Sequence, residues 1–532
     1  MKTTIKNLIL SAVLVVGGAS CVDLDTAPYD RETDLTYWEE DPEAAVKALN
    51  TCYTYLGNMD EQLYCEAMTD NAYTKQPNDA TQNIGNGSYS TADPYVKKVW
   101  DGRYTGIRMC NELLENIDRV PDLDPELKKR YIGEAKVLRA YNYYELYTKF
   151  GDVPYTTKVL SIKESMSIAR TAKATVIANV LADLDEVING NYLPTSYDAD
   201  NKGRITRWAA MAIKAKIYLF EGNWTQVKNI TSTIMTEGGF KLFGSYAGLF
   251  EIANEYNSEV ILDAQYRPTS REHQMMYVFL PPTLGGYSQL SPLQELVDSY
   301  IMLDGKTIKE TGTSFDESHP YANRDPRLKA TVMYTGNSYT LADGTEVVIN
   351  CEKGEGKDGY GVGSDCSATG YYIKKYWDNA YRATLYSGLN PILIRYADIL
   401  LMNAEALAEL GELDKTAWDA TIKPIRDRAG FTLASAVEFP EGASKDKLIE
   451  IVRNERRSEL ALDRHKDIIR WRIADDVLNG WCHGLKTNEV VGTDNGYVRV
   501  ENRAFNANKH YLWPIPQAER DLNGNLVQNP NW

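Results

Sequence analysis

The stretch from Leu393 to Gly411, LIRYADILLMNAEALAELG, constrains the fold more than any other. Tyr396, Leu400, Ala404 and Leu407 recur at steps of four, four and three, which places them on one face of a helix. Ala397, Ala404, Ala406 and Ala408 are small enough for a partner helix to approach closely. Gly411 stands where a left-handed C-terminal cap is expected. Asp414 then caps a second helix that runs to Ala429, is kinked by Pro424 and closes at Gly430. The same grammar appears earlier. Trp208, Ala212, Ala215 and Leu219 form a stripe, Gly222 ends the helix, and Trp224 opens the next.

Two such helix–glycine–helix units of roughly 34 residues have the pattern of tetratricopeptide hairpins. The fold class expected is therefore mostly α. With 532 residues, 43% hydrophobic and 25% charged, the chain is globular and can bury a large core. Its net charge of −16, from 58 basic and 74 acidic residues, argues against nucleic acid or an anionic membrane as partners of a basic face. Thirty-six tyrosines and ten tryptophans exceed what a core needs. Such rings offer flat apolar faces with a polar edge, suited to sugars or peptides as well as to half-buried packing.

Lys2 and Lys6 precede an apolar run from Leu8 to Val16, then Gly17-Gly18-Ala19-Ser20 and Cys21. A positive start, a short apolar run and small residues make a secretory signal over residues 1–20. Cys21 after the small residues resembles a bacterial lipobox, so it is the expected lipidation site, followed by a tether over 21–36. Lipid would be the chain's only hold on the membrane. The remaining cysteines are scattered, with no metal-ligand spacing. In an exported protein, Cys351 and Cys366 could bridge across the glycine-rich loop between them.

Helices are expected at about 41–56, 96–120, 125–150 and 172–188, before the pair around Gly222. Between the first two, Met68 to Val99 is rich in Asn, Gly, Tyr and Thr and too long for a turn, so it reads as a functional loop. From Gly238 to Asn390 the chain changes to short alternating runs and turns, with an Asp343-Gly344 hairpin and five glycines between Gly354 and Gly363. The architecture expected is one domain over 37–532: a helical scaffold at about 37–237 and 391–532, and an irregular ligand-binding insertion at about 238–390.

The five histidines form neither HExxH nor a close pair, and there is no G-x-S-x-G elbow or P-loop. No metal or cofactor is expected. Asp358 to Asp365 lacks the alternating ligands of a calcium loop. Arg453, Glu455, Arg456, Arg457 and Glu459 read as a structural set of ion pairs, as do Arg395 and Asp398. Ligand-binding candidates are sought in the loops instead. Asp70, Asn71, Tyr73, Asn83, Tyr89 and Tyr95 lie in the first, Tyr287 follows Gly285-Gly286, and Trp377 and Tyr381 lie beyond the glycine-rich stretch.

Four ordered stretches resemble the SusD/RagB family of bacterial outer-membrane nutrient-binding lipoproteins. They are Glu134–Tyr141 continuing to Phe150-Gly151-Asp152-Val153-Pro154, Arg395–Ala406, Arg453–Ala461 with Asp467 and Arg470-Trp471, and Leu512–Pro516 with Leu526–Pro530. Arg324–Leu328 and the lipobox fit too. The chain departs from the family between Ala461 and Trp471, where it has no glycine, and at Asn523-Gly524-Asn525, where Asn-Pro-Asn is usual. The resemblance implies tetratricopeptide-like helix pairs beside an irregular ligand-binding half. It also implies a non-catalytic surface lipoprotein of the outer membrane that captures a glycan for a SusC-like, TonB-dependent β-barrel transporter. A peptide-binding, RagB-like protein is the alternative. A surface glycoside hydrolase is a further one, since its carboxylate pair would be spatial and not sequential.

Overall fold

A computed structural model describes residues 33–34, 36–75 and 81–532. The signal segment 1–20, Cys21 and most of the tether lie outside the described residues. The frame is built from α1 (Ala44–Tyr53), α2 (Pro94–Asn116), α3 (Pro125–Phe150), α4 (Lys173–Asn189), α5 (Arg207–Phe220), α6 (Trp224–Glu237), α7 (Tyr396–Leu410), α8 (Lys415–Ala420), α9 (Ile422–Ala429) and α10 (Lys445–Glu459). No described helix is long and apolar enough to cross a membrane.

Asp-Pro pairs start the two longest helices. The Asp93 carboxylate accepts from the Tyr95 and Val96 amides at 3.0 and 3.3 Å, and Asp124 does the same for Glu126 and Leu127 at 3.0 and 2.9 Å. α3 is buried at every position from Asn142 to Phe150, so it is enclosed on all sides. Its polar groups are answered internally, as where Lys149 pairs with Glu145 at 2.6 Å. The stripe Trp208, Ala212, Ala215 and Leu219 is buried, Gly222 turns at φ +69°, and α6 packs against α7. α7 packs in turn against α10, giving a tetratricopeptide-like stack of helix pairs. The second pair is divided. Asp414 caps Ala417 at 2.8 Å, but Thr421, at φ −124°, separates α8 from α9 ahead of Pro424.

The strands that matter are β1 (Ala72–Thr74), β2 (Val260–Asp263), β3 (Leu290–Pro292), β4 (Ile392–Arg395), β5 (Asn479–Lys486) and β6 (Tyr497–Ala504). They pair antiparallel as β1–β3, β2–β4 and β5–β6. The helix expected from Leu393 therefore begins only at Tyr396, because the preceding residues pair with β2. One hydrophobic core fills α1–α6 and takes in Trp513, Ile515 and Leu526. A second lies among residues 246–389 and recruits Met59, Leu63, Ala72, Ala461 and Leu485. Cys351 belongs to that core and Cys366 donates to the Lys357 carbonyl at 3.3 Å; both are free thiols, so the bridge considered between them is absent.

A buried lattice of charge joins these parts. The Glu459 carboxylate of α10 meets Arg395 at 2.6 Å, Arg327 at 2.9 Å, and Arg428. Glu259 meets Arg395 at 2.7 Å and Arg428 at 3.0 Å. Glu455 joins Arg327 and Arg426, each at 2.7 Å, and Asp325 pairs with Arg327 at 2.7 Å. Four guanidiniums and four carboxylates thus balance in a site where an unpaired charge would be untenable. Burial alone would raise the Glu459 carboxyl; Arg428, Arg395 and Arg327 outweigh it and hold the group well below the usual carboxylate range.

Glu459→Gln should therefore destabilise the protein by roughly 3–5 kcal/mol in urea unfolding, because it leaves arginines buried without their countercharge. A carboxyl whose folded pKa is depressed contributes stability above its ordinary value and loses it as pH falls. Wild-type stability should accordingly decline below about pH 4.5, the ordinary value for Glu459, and the decline should be shallower in Glu459→Gln.

Candidate functional site

The insertion presents an exposed tyrosine platform. Tyr277 lies on the short helix Met275–Phe279, and its hydroxyl donates to the Thr384 carbonyl at 3.1 Å. The chain then folds back over that helix. The Gly286 amide reaches the Pro281 carbonyl at 3.1 Å, and the Tyr287 amide reaches the Tyr277 carbonyl at 2.8 Å. This bend requires its glycines. Gly285 is left-handed at φ +86°, and a Cβ on Gly286 would stand 2.1 Å from the Leu280 carbonyl oxygen. The rings of Tyr277 and Tyr287 consequently lie near-parallel, 13° apart with centroids at 5.8 Å, and Tyr386 meets Tyr277 edge-on at 6.1 Å. Tyr287 is 46% exposed and Tyr386 41%.

Three further segments frame the platform. β1 pairs with β3 just beyond the bend, and the Lys75 amide donates to the Gln289 carbonyl at 2.9 Å. The Lys75 ammonium donates to the carbonyls of Ser364 and Cys366, tying down the end of the glycine-rich loop. Within that loop Asp358 accepts from the Thr283 amide at 2.8 Å and hydroxyl at 2.6 Å, at the turn leading into Gly285. Asp378 accepts from the Ile252 and Ala380 amides at 2.6 and 2.9 Å. Both flanking carboxylates are thus buried and engaged in holding loops.

Of the residues expected to bind ligand, Tyr287 stands in the platform and Tyr381 braces it. The Tyr381 carbonyl accepts from the Leu385 amide at 2.7 Å in the loop that carries Tyr386. Trp377 lies apart: its indole donates to the Thr340 carbonyl at 3.3 Å and its ring packs on Tyr339. Tyr73 is half-buried on β1, opposite Ser291, with its hydroxyl accepting from Gln82 at 3.2 Å.

The others have structural duties. Asp70 is buried between Arg457 and Arg464, at 2.9 and 2.7 Å. Burial would raise its carboxyl, but the two guanidiniums prevail and hold it at about 2. Asn71, fully buried, donates to Glu66 at 2.8 Å and accepts from Arg457 at 2.9 Å. Asn83 lies on the short helix Thr81–Asn86, where its carbonyl accepts from the Ser88 amide at 2.9 Å. Tyr89 is packed between His510 and Trp532, and Tyr95 is buried against Trp513. Neither ring face is open to a ligand.

Sequence reasoning overlooked Tyr277 and Tyr386. Tyr277 sits in Met-Met-Tyr-Val-Phe, which reads as core. Tyr386 precedes Ser387-Gly388, a flexible setting comparable to the Gly-Gly before Tyr287, and that was the available signal. Among the described residues no group of His, Cys, Asp and Glu could hold a metal ion.

Comparison with known proteins accords with this architecture. The sequence model described as the SusD family matches residues 249–532, and one described as starch-binding, associating with the outer membrane, matches residues 37–219. A SusD-like protein of Formosa agariphila is 27% identical over 99% of this chain and 98% of its own length. A crystal structure of a SusD-like carbohydrate-binding protein from Bacteroides fragilis is 28% identical and superimposes with a TM-score of 0.82, covering 92% of this chain and all of that one. A second SusD-like structure from the same species is 27% identical, with a TM-score of 0.80 over 95% of this chain. With the helix-pair scaffold, the irregular half and both family models in register along the sequence, the chain belongs to the SusD family.

Proposed function

We propose that the protein is a lipid-anchored cell-surface glycan-binding protein that captures an oligosaccharide or polysaccharide on the Tyr277–Tyr287–Tyr386 platform and hands it to a SusC-like, TonB-dependent barrel in the outer membrane. The observation that carries this reading is the exposed Tyr287 ring, held near-parallel to the half-buried Tyr277 by the Gly285-Gly286 bend. A pyranose offers an apolar face to such a ring, while the Tyr277 hydroxyl stays engaged with the Thr384 carbonyl and holds the pair in place. The relative from Bacteroides fragilis described as carbohydrate-binding supports the ligand class. The family description that mentions the outer membrane supports the location, and the lipobox at Cys21 supports the anchor. The engagement of Asp358 and Asp378 in loop structure favours capture over hydrolysis.

Calorimetry of the purified protein against a panel of polysaccharides, their oligosaccharides and a peptide digest tests the reading. Heat with one glycan is expected, and Tyr287→Ala should weaken that binding about tenfold or more. Glycan binding that survives loss of both Tyr287 and Tyr386 would overturn the site. Heat from peptides alone would replace the ligand class, and release of reducing sugar would replace capture with hydrolysis.

The bend supplies an independent prediction. Gly286→Ala should weaken glycan binding as Tyr287→Ala does, because the added methyl displaces the segment that presents the ring. Gly102→Ala in α2, where a Cβ meets nothing within 4 Å, should leave binding intact and add about 0.5–1 kcal/mol of stability through helix propensity, read in urea unfolding.

A further inference from the structure

Three of the four family-like stretches converge on one groove, and none of the platform tyrosines lines it. The groove encloses about 780 Å³ between the C-terminal end of α3, the turn after Arg470 and the tail around Val527–Pro530. Its floor is rich in donors. Tyr147 is fully buried there, and its hydroxyl has no partner among the described residues. Arg170 donates to the carbonyls of Asp152 and Val527 at 2.7 and 2.6 Å, to that of Phe150 at 3.2 Å, and to the Asn529 side chain at 2.6 Å. All four acceptors are neutral. The Arg472 guanidinium lies 3.5 Å from the centroid of the Tyr511 ring. Among the described residues neither arginine has a carboxylate at ion-pair distance. Asp152 is the one acid lining the groove, in a chain of net charge −16.

The groove has an apolar rim. Val527, which lines the groove, is 69% exposed, and Ile162, at 80%, Met166 and Leu522 are exposed on the two segments that meet next to it. Asn523 holds the two edges together, donating to the Ser165 and Ile168 carbonyls at 3.1 and 2.8 Å, and Asn525 donates to that of Ser167 at 2.7 Å.

We propose that this groove and its rim dock a segment of another protein in which carboxylates alternate with aliphatic side chains. Carboxylates answer the positive charge of Arg170 and Arg472, for which no described carboxylate stands at ion-pair distance. Aliphatic side chains cover a rim of Ile162, Met166, Leu522 and Val527 that water otherwise wets. A sugar is disfavoured because the ring faces are already covered: Tyr147 is buried, Tyr511 lies under Arg472, and Lys173 stands 5.4 Å over Phe220. The proposal is independent of the glycan reading.

The test is fluorescence anisotropy of a dye-labelled peptide alternating paired glutamates and leucines, titrated with the purified protein. Saturable binding is expected. It should weaken about tenfold or more with Arg472→Glu, with Ile162→Glu, and when the peptide's glutamates become glutamines or its leucines serines. Ile162 is so exposed that its substitution leaves folding intact, which guards against a misfolded Arg472 variant. Glycan binding should be unchanged in both variants. Absence of saturable peptide binding, or binding indifferent to both substitutions, overturns the proposal. So does binding of a galacturonate oligomer, sensitive to Arg472→Glu, in place of the peptide; the groove would then be an anionic-sugar site.

Discussion

Glu459 is the carboxylate on which the arrangement of the two halves depends. It stands at the end of α10 and receives guanidiniums from three separate parts of the chain: Arg327 from the insertion, Arg395 from the start of α7, and Arg428 from α9. Arginine suits this duty because its rigid fork engages several oxygens at once and stays charged when buried. Hydrophobic cores tolerate small slips of one layer over another. A buried ion lattice does not, since a displaced partner leaves a charge without water or counterion. The insertion is thereby fixed in orientation on the scaffold, and the tyrosine platform inherits that fixity.

The platform itself is built from loops, yet it is stiff. Tyr277 is held through its hydroxyl, Tyr287 by a bend that only glycine can form, and Tyr386 by a loop braced at Tyr381. The segment after it is joined to the first third of the chain by β1–β3, and the glycine-rich loop is pinned by Asp358 and Lys75. Rings so held have little freedom left to lose, which is how an exposed surface of the kind proposed here would gain affinity for a ligand.

The scaffold was legible because helix periodicity and glycine caps are local signals; the stripes on α5 and α7 and the stops at Gly222 and Gly411 need no distant information. Leu393–Arg395 misled because a short apolar run fits helix and strand alike, and its strand partner lies in the insertion. Asp70 and Asn71 misled for a related reason. In a polar loop they look like ligand contacts, but their arginines lie 394 and 386 residues downstream, beyond any local pattern. The charged run at Arg453–Glu459 was readable as structural because acids and bases alternate within two turns, although the partners could not be named. Tyr287 was recoverable from its glycines, whereas Tyr277 was hidden by apolar neighbours.

The tail has a consequence for the order of assembly. Trp513, Ile515 and Leu526 join a core that α1–α6 share with Ile261 and Leu262 of β2, Ile394 of β4 and Ile399, Met402 and Ala406 of α7, and the Trp532 indole donates to the Leu512 carbonyl at 2.8 Å beside Tyr89. The early helices therefore keep an open seam until residues 513–532 arrive. Helices α1–α6 cannot close this core by themselves, so its completion waits on segments far downstream. Residues 513–532 and the first helices are thereby one cooperative unit, although nearly the whole sequence separates them.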